Sequence, residues 1–385
     1  MIKILHLISS TGLYGAERWV LALARNLDPG QVSCGLGTLD EPGQSLELHG
    51  CFRSLDLPAF KCRMRGKFNP LVIPALARLV RAKRIDVIHS HGYKSDILGL
   101  AAARLARVRC VSTPHGFGGV SGRKMQLFVR LGCAALRCFD CVAPLSEELA
   151  AELARIGIRP SRIRLILNGV DIDEIDSVRN AVDLNGKPDP EARPIVYIGR
   201  LDEGKNVADL IGTFDLLFRV RHDVSLWLIG DGEQRGPLEQ LARSLASSPR
   251  ISFLGYRSDR LELLRRAALF AMTSSSEGIP RCLMEAMAMG VPVAAYDVPG
   301  VSRLVRHEET GLLAPFGDIE NLKNCFNRIL SGGALARQLA SAAREQVAQD
   351  FSAQRMAHEF TSLYSELTAD PNGQGGACVI DPRKS

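Results

Sequence analysis

Two successive runs of alternating strand-like and helix-like segments constrain this chain more than any other feature of its sequence. The first opens with the apolar run Ile2–Ile8, turns through Gly12-Leu13-Tyr14-Gly15 and continues as a helical pattern over 16–24. Strand patterns at 32–39, 86–89, 109–113 and 140–143 then alternate with helical patterns near 70–83, 95–106, 123–138 and 147–156. A second alternation starts at Ile195-Val196-Tyr197-Ile198-Gly199 and runs through strand patterns at 225–229, 251–254, 269–272 and 291–296. Strands joined by helices form parallel sheets covered on both faces, and their functional loops lie at the carboxyl ends of the strands. The expected fold class is therefore α/β, with two doubly wound domains.

The chain has 385 residues, 46% of them apolar, enough for two cores. Residues 1–175 are expected to form the first domain, 176–194 a linker carrying three prolines, and 195–350 the second domain. A last helix is expected at 351–368, and 369–385 reads as a disordered tail. The start at Met1 reads as a buried strand with no signal peptide, and no apolar run reaches membrane-span length. The ten cysteines sit at irregular spacings, mostly inside apolar elements, which fits a reducing cytosol. Cys138-Phe139-Asp140-Cys141 is expected to be two packed thiols. Asp171-Ile172-Asp173 is expected to be a solvated run and no metal pair.

The net charge of +6 is unevenly placed. Residues 51–137 hold 17 Lys and Arg against three Asp, a local excess of +14, so the remainder is acidic. A basic first half suits an anionic acceptor or an anionic membrane surface. Lys61-Cys62-Arg63-Met64-Arg65-Gly66-Lys67-Phe68, where apolar and basic residues interleave, is expected to be a loop suited to that role. No basic and aromatic platform is present, which argues against nucleic acid.

The candidate site centres on Ser276-Glu277-Gly278-Ile279-Pro280-Arg281-Cys282-Leu283-Met284-Glu285, a turn leading into a short helix that stops at Gly290. Carboxylates accept bonds from sugar hydroxyls, and a helix start attracts phosphate. On spacing alone the plainer reading, a surface glutamate and a solvated helix glutamate, is ahead. Arg200 and Lys205 bracket another strand end, where both can point at one diphosphate. Ser90-His91-Gly92-Tyr93 and Pro114-His115-Gly116-Phe117 place histidines in loops after strands of the first domain. The Gly12 to Gly15 turn can offer backbone N–H groups to a phosphate.

Glu277 and Glu285 with seven residues between, followed by Ala286, Gly290 and Pro292, resemble the signature of the retaining glycosyltransferases of family four. The likeness extends over the glycine turn, His115, Asn168-Gly169-Val170-Asp171, Gly199-Arg200 with Lys205, Gly230-Asp231-Gly232 and Gly311-Leu312-Leu313. It implies the GT-B fold, with a first acceptor domain, a second nucleotide-sugar domain, and a last helix that passes back over the first. It also implies that Arg200 and Lys205 hold the donor diphosphate, Glu285 the ribose hydroxyls, and Glu277 with Gly278 the donor sugar. His115 would contact that sugar and Gly15 would lie beside the phosphates. Glu277, His115, Arg200 and Lys205 would be the catalytic set, with no metal and no cofactor beyond the donor substrate. The acceptor would be a saccharide or a lipid-linked hydroxyl, and the enzyme cytoplasmic, working at the inner face of the membrane. Where many members have a second Gly and later a Glu, this chain has Pro299 and Arg303. Arg281 faces either the donor sugar or solvent. Two rival readings share the architecture: a nucleotide-sugar epimerase, and a non-catalytic nucleotide-sugar-binding subunit of a polysaccharide assembly complex.

Overall fold

The computed structural model describes residues 1–10, 12–41, 47–64, 66, 69–116, 123–181 and 193–369, without the side chains of 123–128. The chain divides into two compact units, one of residues 1–169 with 353 onward, the other of residues 170–352.

The first unit holds a six-stranded parallel sheet in the order β3-β2-β1-β4-β5-β6. Its strands are β1 (Ile2–Ile8), β2 (Val32–Asp40), β3 (Ala59–Arg63), β4 (Val87–His91), β5 (Arg109–Ser112) and β6 (Cys141–Val142). Both faces are covered, so side chains alternate between two cores along each strand. Ile4 and Ile8 join Trp19, Phe360 and Tyr364 on one face, while Leu5 and Leu7 join Leu76, Leu98 and Phe139 on the other. The helix Ala353–Ala369 belongs to this unit and packs on the helix Gly15–Asn26.

The second unit repeats the pattern with β7 (Arg193–Ile198), β8 (Val224–Ile229), β9 (Ile251–Gly255), β10 (Leu269–Met272), β11 (Val293–Asp297) and β12 (Leu312–Pro315). Its order, β12-β11-β10-β7-β8-β9, is again parallel throughout. In each sheet the first strand lies beside the fourth, and the winding direction reverses between them. Ligands of doubly wound sheets bind outside the carboxyl ends at that reversal.

Several expectations change. Lys61, Cys62 and Arg63 are not a loop: they form the edge strand β3, paired with β2 from Leu36–Ala59 to Asp40–Arg63. Met64 is buried in the core, and Phe68 lies outside the described residues. The expected linker at 176–194 starts inside a helix, Ile172–Arg179, and residues 182–192 lie outside the described ones, as does the tail from 370. Asp171 is not solvated: it is buried and caps that helix, its carboxylate accepting from Glu174 N–H at 3.2 Å. Cys141 is buried in β6 while Cys138 is exposed, so they are not two packed thiols. Among the described residues no helix is long and apolar enough to cross a membrane.

Candidate active site

In the second unit the reversal point falls between β7 and β10, and the loops after these two strands carry the predicted charges. The loop after β10 is tied to the loop after β7 by backbone. Ser275 N–H donates to Gly204 O at 3.0 Å, and Thr273 Oγ1 donates to Lys205 O at 3.2 Å. This clamp brings Lys205 Nζ within 2.6 Å of Glu277 Oε1, an ion pair between residues 72 apart in sequence. Lys205 keeps 23% of its side chain exposed and Glu277 11%, so the pair is partly desolvated yet reachable. Arg200 stands apart from this pair. Its guanidinium is largely exposed and pairs with Asp202 at 3.0 Å.

Glycines set the spacing of these loops. A Cβ on Gly230, which has φ +139°, would fall 1.8 Å from Gly199 O, and one on Gly232 would fall 2.3 Å from Leu201 O. The Arg200 loop can therefore lie directly on the Gly230-Asp231-Gly232 turn. Gly300, at φ +82°, does the same for the signature loop: a Cβ there would meet Gly278 O at 1.7 Å. The Pro299-Gly300 turn thus supports Glu277 and Gly278 from behind, whatever N–H the proline removes.

Glu285 has surroundings of its own. It lies in the helix Arg281–Met289, almost fully buried, and two arginines enclose it. Arg260 donates through Nε to Oε2 at 3.1 Å and through Nη2 to Oε1 at 2.7 Å, and Arg281 Nε donates to Oε1 at 2.9 Å. Burial alone would raise this carboxyl's pKa, but the two guanidiniums outweigh it and hold the group below its ordinary value. Arg281 accordingly does not lie in open solvent: it folds back onto Glu285 with its side chain 12% exposed. Arg260 was not foreseen, because an arginine in a surface-like helix, Arg260–Arg265, carries no sequence signal of its distant partner.

In the first unit the reversal lies between β1 and β4. Gly15 is exposed and starts the helix Gly15–Asn26, with no heavy atom within 4 Å of where its Cβ would be. One free N–H there is already taken, since Tyr14 N donates to Glu17 Oε2 at 3.2 Å. His115 sits past β5 on a histidine cluster. His6 and His89 are register partners on β1 and β4, and His91 follows two residues later, so all three share one face of the sheet. His91, expected in a loop, is the buried last residue of β4. His6 Nδ1 lies 3.2 Å from His91 Nε2, and His91 Nδ1 lies 3.4 Å from His115 Nε2. His89 is held separately, with Nδ1 2.7 Å from Tyr364 Oη and Nε2 2.8 Å from Thr113 Oγ1. His6, His89 and His91 present nitrogens within 4.8 Å of one another. Both His89 nitrogens are committed to hydroxyls, however, so the trio is a hydrogen-bonded core and not three free metal ligands. Burial lowers His6 to about 3 and His115 to about 4, and drives His89 and His91 well below the usual histidine value.

Comparison with known proteins agrees with this arrangement. Residues 185–346 match the family described as "Glycosyl transferases group 1", and residues 14–174 match "Glycosyltransferase Family 4". A UDP-Gal:alpha-D-GlcNAc-diphosphoundecaprenol alpha-1,3-galactosyltransferase of Escherichia coli is 26% identical over 307 residues, 77% of this chain and 79% of that one. An N-acetyl-alpha-D-glucosaminyl L-malate synthase of Bacillus anthracis is 26% identical over 310 residues, 78% of this chain and 80% of that one. Among solved structures, HepE of Anabaena in complex with UDP and glucose superposes with a TM-score of 0.78 at 22% identity, covering 95% of this chain and all of that one. A sucrose-phosphate synthase of Thermosynechococcus elongatus gives a TM-score of 0.76 at 22% identity, over 96% of this chain and all of that one. With two sheets of one winding order and both halves matched, the chain belongs to the family-four type of GT-B glycosyltransferases.

Proposed function

We propose that this enzyme moves a sugar from a nucleoside-diphosphate sugar to an acceptor hydroxyl with retention of anomeric configuration, in the synthesis of a cell-surface polysaccharide or glycolipid. The observation that carries the reading is the Lys205–Glu277 pair, assembled from two strand ends at the reversal point of the second sheet. A partly desolvated ammonium there is suited to the charge that develops on a departing diphosphate. Arg200 adds a planar guanidinium that leaves Asp202 when a better anion arrives. Glu277 holds Lys205 in place and turns its remaining lone pairs, with the Gly278 backbone, toward sugar hydroxyls. Retention follows when the leaving phosphate oxygen takes the acceptor proton on the same face of the sugar, so no separate general base is required. His115, as a neutral ring, is proposed to contact the donor sugar, and Gly15 to lie beside phosphate. No metal or cofactor is called for in this scheme, because cations and backbone amides serve the phosphate.

A ribose role for Glu285 would fall to Oε2, which accepts one bond, from Arg260, where Oε1 accepts two, from Arg260 and Arg281. For the acceptor we propose an anionic, lipid-linked saccharide at the membrane's inner face. Lys61, Arg63, Arg78, Arg81, Lys83 and Arg84 remain exposed to serve it, although Met64 does not. Co-sedimentation with anionic vesicles at low salt checks this, and absence of binding contradicts it. Incubation with a panel of nucleotide sugars separates the main reading from its rivals. Acceptor-dependent release of nucleoside diphosphate is expected. An epimerised donor would support an epimerase, and binding without turnover in the presence of membranes a non-catalytic subunit.

A further inference from the structure

We propose that His6 and His91 are positioning residues that fix the tautomer of His115, so that His115 presents an Nδ1–H donor to a substrate oxygen and cannot serve as a base. The inference rests on the reading above that His115 faces substrate.

All three rings are held neutral by burial, so each carries one N–H and one lone pair. They are joined end to end, His6 Nδ1 to His91 Nε2 and His91 Nδ1 to His115 Nε2. A chain of neutral imidazoles joined this way has only two complete proton arrangements. In one, every N–H points outward, from His6 toward His115. In the other, every N–H points inward, and His6 Nε2 carries a proton.

The inner end decides between them. His6 Nε2 is buried with no hydrogen-bond partner among the described residues. Its ring lies beside those of His89 and His91, at 5.2 and 5.4 Å between centroids. A buried N–H with nothing to donate to is costlier than a bare lone pair in the same place, and orphaned N–H groups are the rarer of the two in folded proteins. The outward arrangement therefore prevails. His6 donates to His91, His91 donates to His115 Nε2, and the only proton on His115 is left on Nδ1. The rings cannot turn to escape this, because His91 packs against His89 at 4.3 Å between centroids and Trp19 meets His115 edge-on at 5.2 Å.

The consequence is chemical. A ring locked with its proton on Nδ1 can donate one hydrogen bond to a sugar hydroxyl or phosphoryl oxygen, and its other nitrogen is already occupied by His91. It has no free lone pair with which to remove a proton from an acceptor, which agrees with a reaction that leaves that task to the departing phosphate.

The test reads the proton directly. In the full-length protein with 15N-labelled histidine, the ring-nitrogen signals of His115, assigned by their loss in His115→Gln, should show Nδ1 protonated and Nε2 bare. In His6→Leu the Nε2 of His91 becomes the buried end with nothing to donate to, so by the same rule His115 should keep its proton on Nδ1. In His6→Asp, read above neutral pH, the first group of the chain is a carboxylate that can only accept, so His91 should donate to it from Nε2, His115 should donate to His91 from Nε2, and the proton should leave His115 Nδ1. Turnover should follow the same order. His6→Asp should lower kcat about tenfold, the worth of one misdirected hydrogen bond, with the donor KM nearly unchanged, and His6→Leu should keep most of it. A wild-type spectrum with the proton on Nε2 overturns the proposal without any variant, so it stands or falls even if a variant fails to fold. A proton still on Nδ1 in a folded His6→Asp overturns it as well. The spectra need no donor or acceptor, so failure of the transferase reading would be seen separately, as a correct tautomer in a protein that turns over no nucleotide sugar.

Discussion

At the scale of single residues, Lys205 and Glu285 separate chemistry from stability. Lys205→Ala removes the ammonium proposed to meet leaving-group charge and should lower kcat by a factor on the order of 100. Glu277 would then be left partly desolvated without its cation, so donor KM should rise too. Steady-state rates at saturating donor check this. Glu285→Ala has a different expectation. It strips Arg260 and Arg281 of their shared counter-charge in a nearly dry site, which should destabilise the second unit by about 3–5 kcal/mol in urea unfolding. A raised donor KM in that variant would not by itself establish a ribose contact. Glu285→Gln keeps the acceptor oxygen and should cost less, which makes it the cleaner probe.

Among elements, the turns at the carboxyl ends of β7, β8 and β11 matter more than the helices. Gly300 and Gly317 have nearly the same φ, +82° and +80°, but a Cβ on Gly300 would strike Gly278 O whereas one on Gly317 would meet nothing within 4 Å. Gly317→Ala should therefore cost only the left-handed backbone, about 1 kcal/mol. Gly300→Ala adds displacement of the Glu277 loop, about 1–3 kcal/mol more, and should weaken donor binding as well. Equal unfolding and binding data for the two variants would contradict this account of Gly300. The strand and helix succession was legible in the sequence because period-2 and period-3.6 patterns are local. The β3 edge strand was not, because Lys61 and Arg63 point to solvent on a two-sided edge and leave only Cys62 and Met64 to signal burial. Lys205 and Glu277 were legible as a motif but not as a pair, since their meeting depends on the neighbouring placement of β7 and β10. The same holds for His6 and His89: each looks like an isolated histidine until the β1–β4 register sets them side by side.

For the whole molecule, the buried histidines predict acid lability of the first unit. In the unfolded chain each would take up a proton below about 6.5, whereas in the fold His6 resists until about 3 and His115 until about 4. Unfolding then binds protons, so stability is lost as pH falls from about 6.5 toward 4. Asp96 acts the other way. Burial raises it from 3.8 to about 7 against the lowering effect of the bonds from Ser90 and Ser112, so its contribution is greatest at low pH and is lost as pH rises through 7. Four histidines outweigh one aspartate, and Tm should fall between pH 7 and pH 5, less steeply in His6→Leu; a flat profile would contradict the neutral cluster. The central claim is tested most directly by nucleoside diphosphate release from a nucleotide-sugar panel with membrane extract as acceptor, comparing the wild-type chain with Lys205→Ala. The account predicts acceptor-dependent release with at least one donor and a loss of about 100-fold in the variant. Release equal in both proteins, or none with a donor that demonstrably binds, would contradict it.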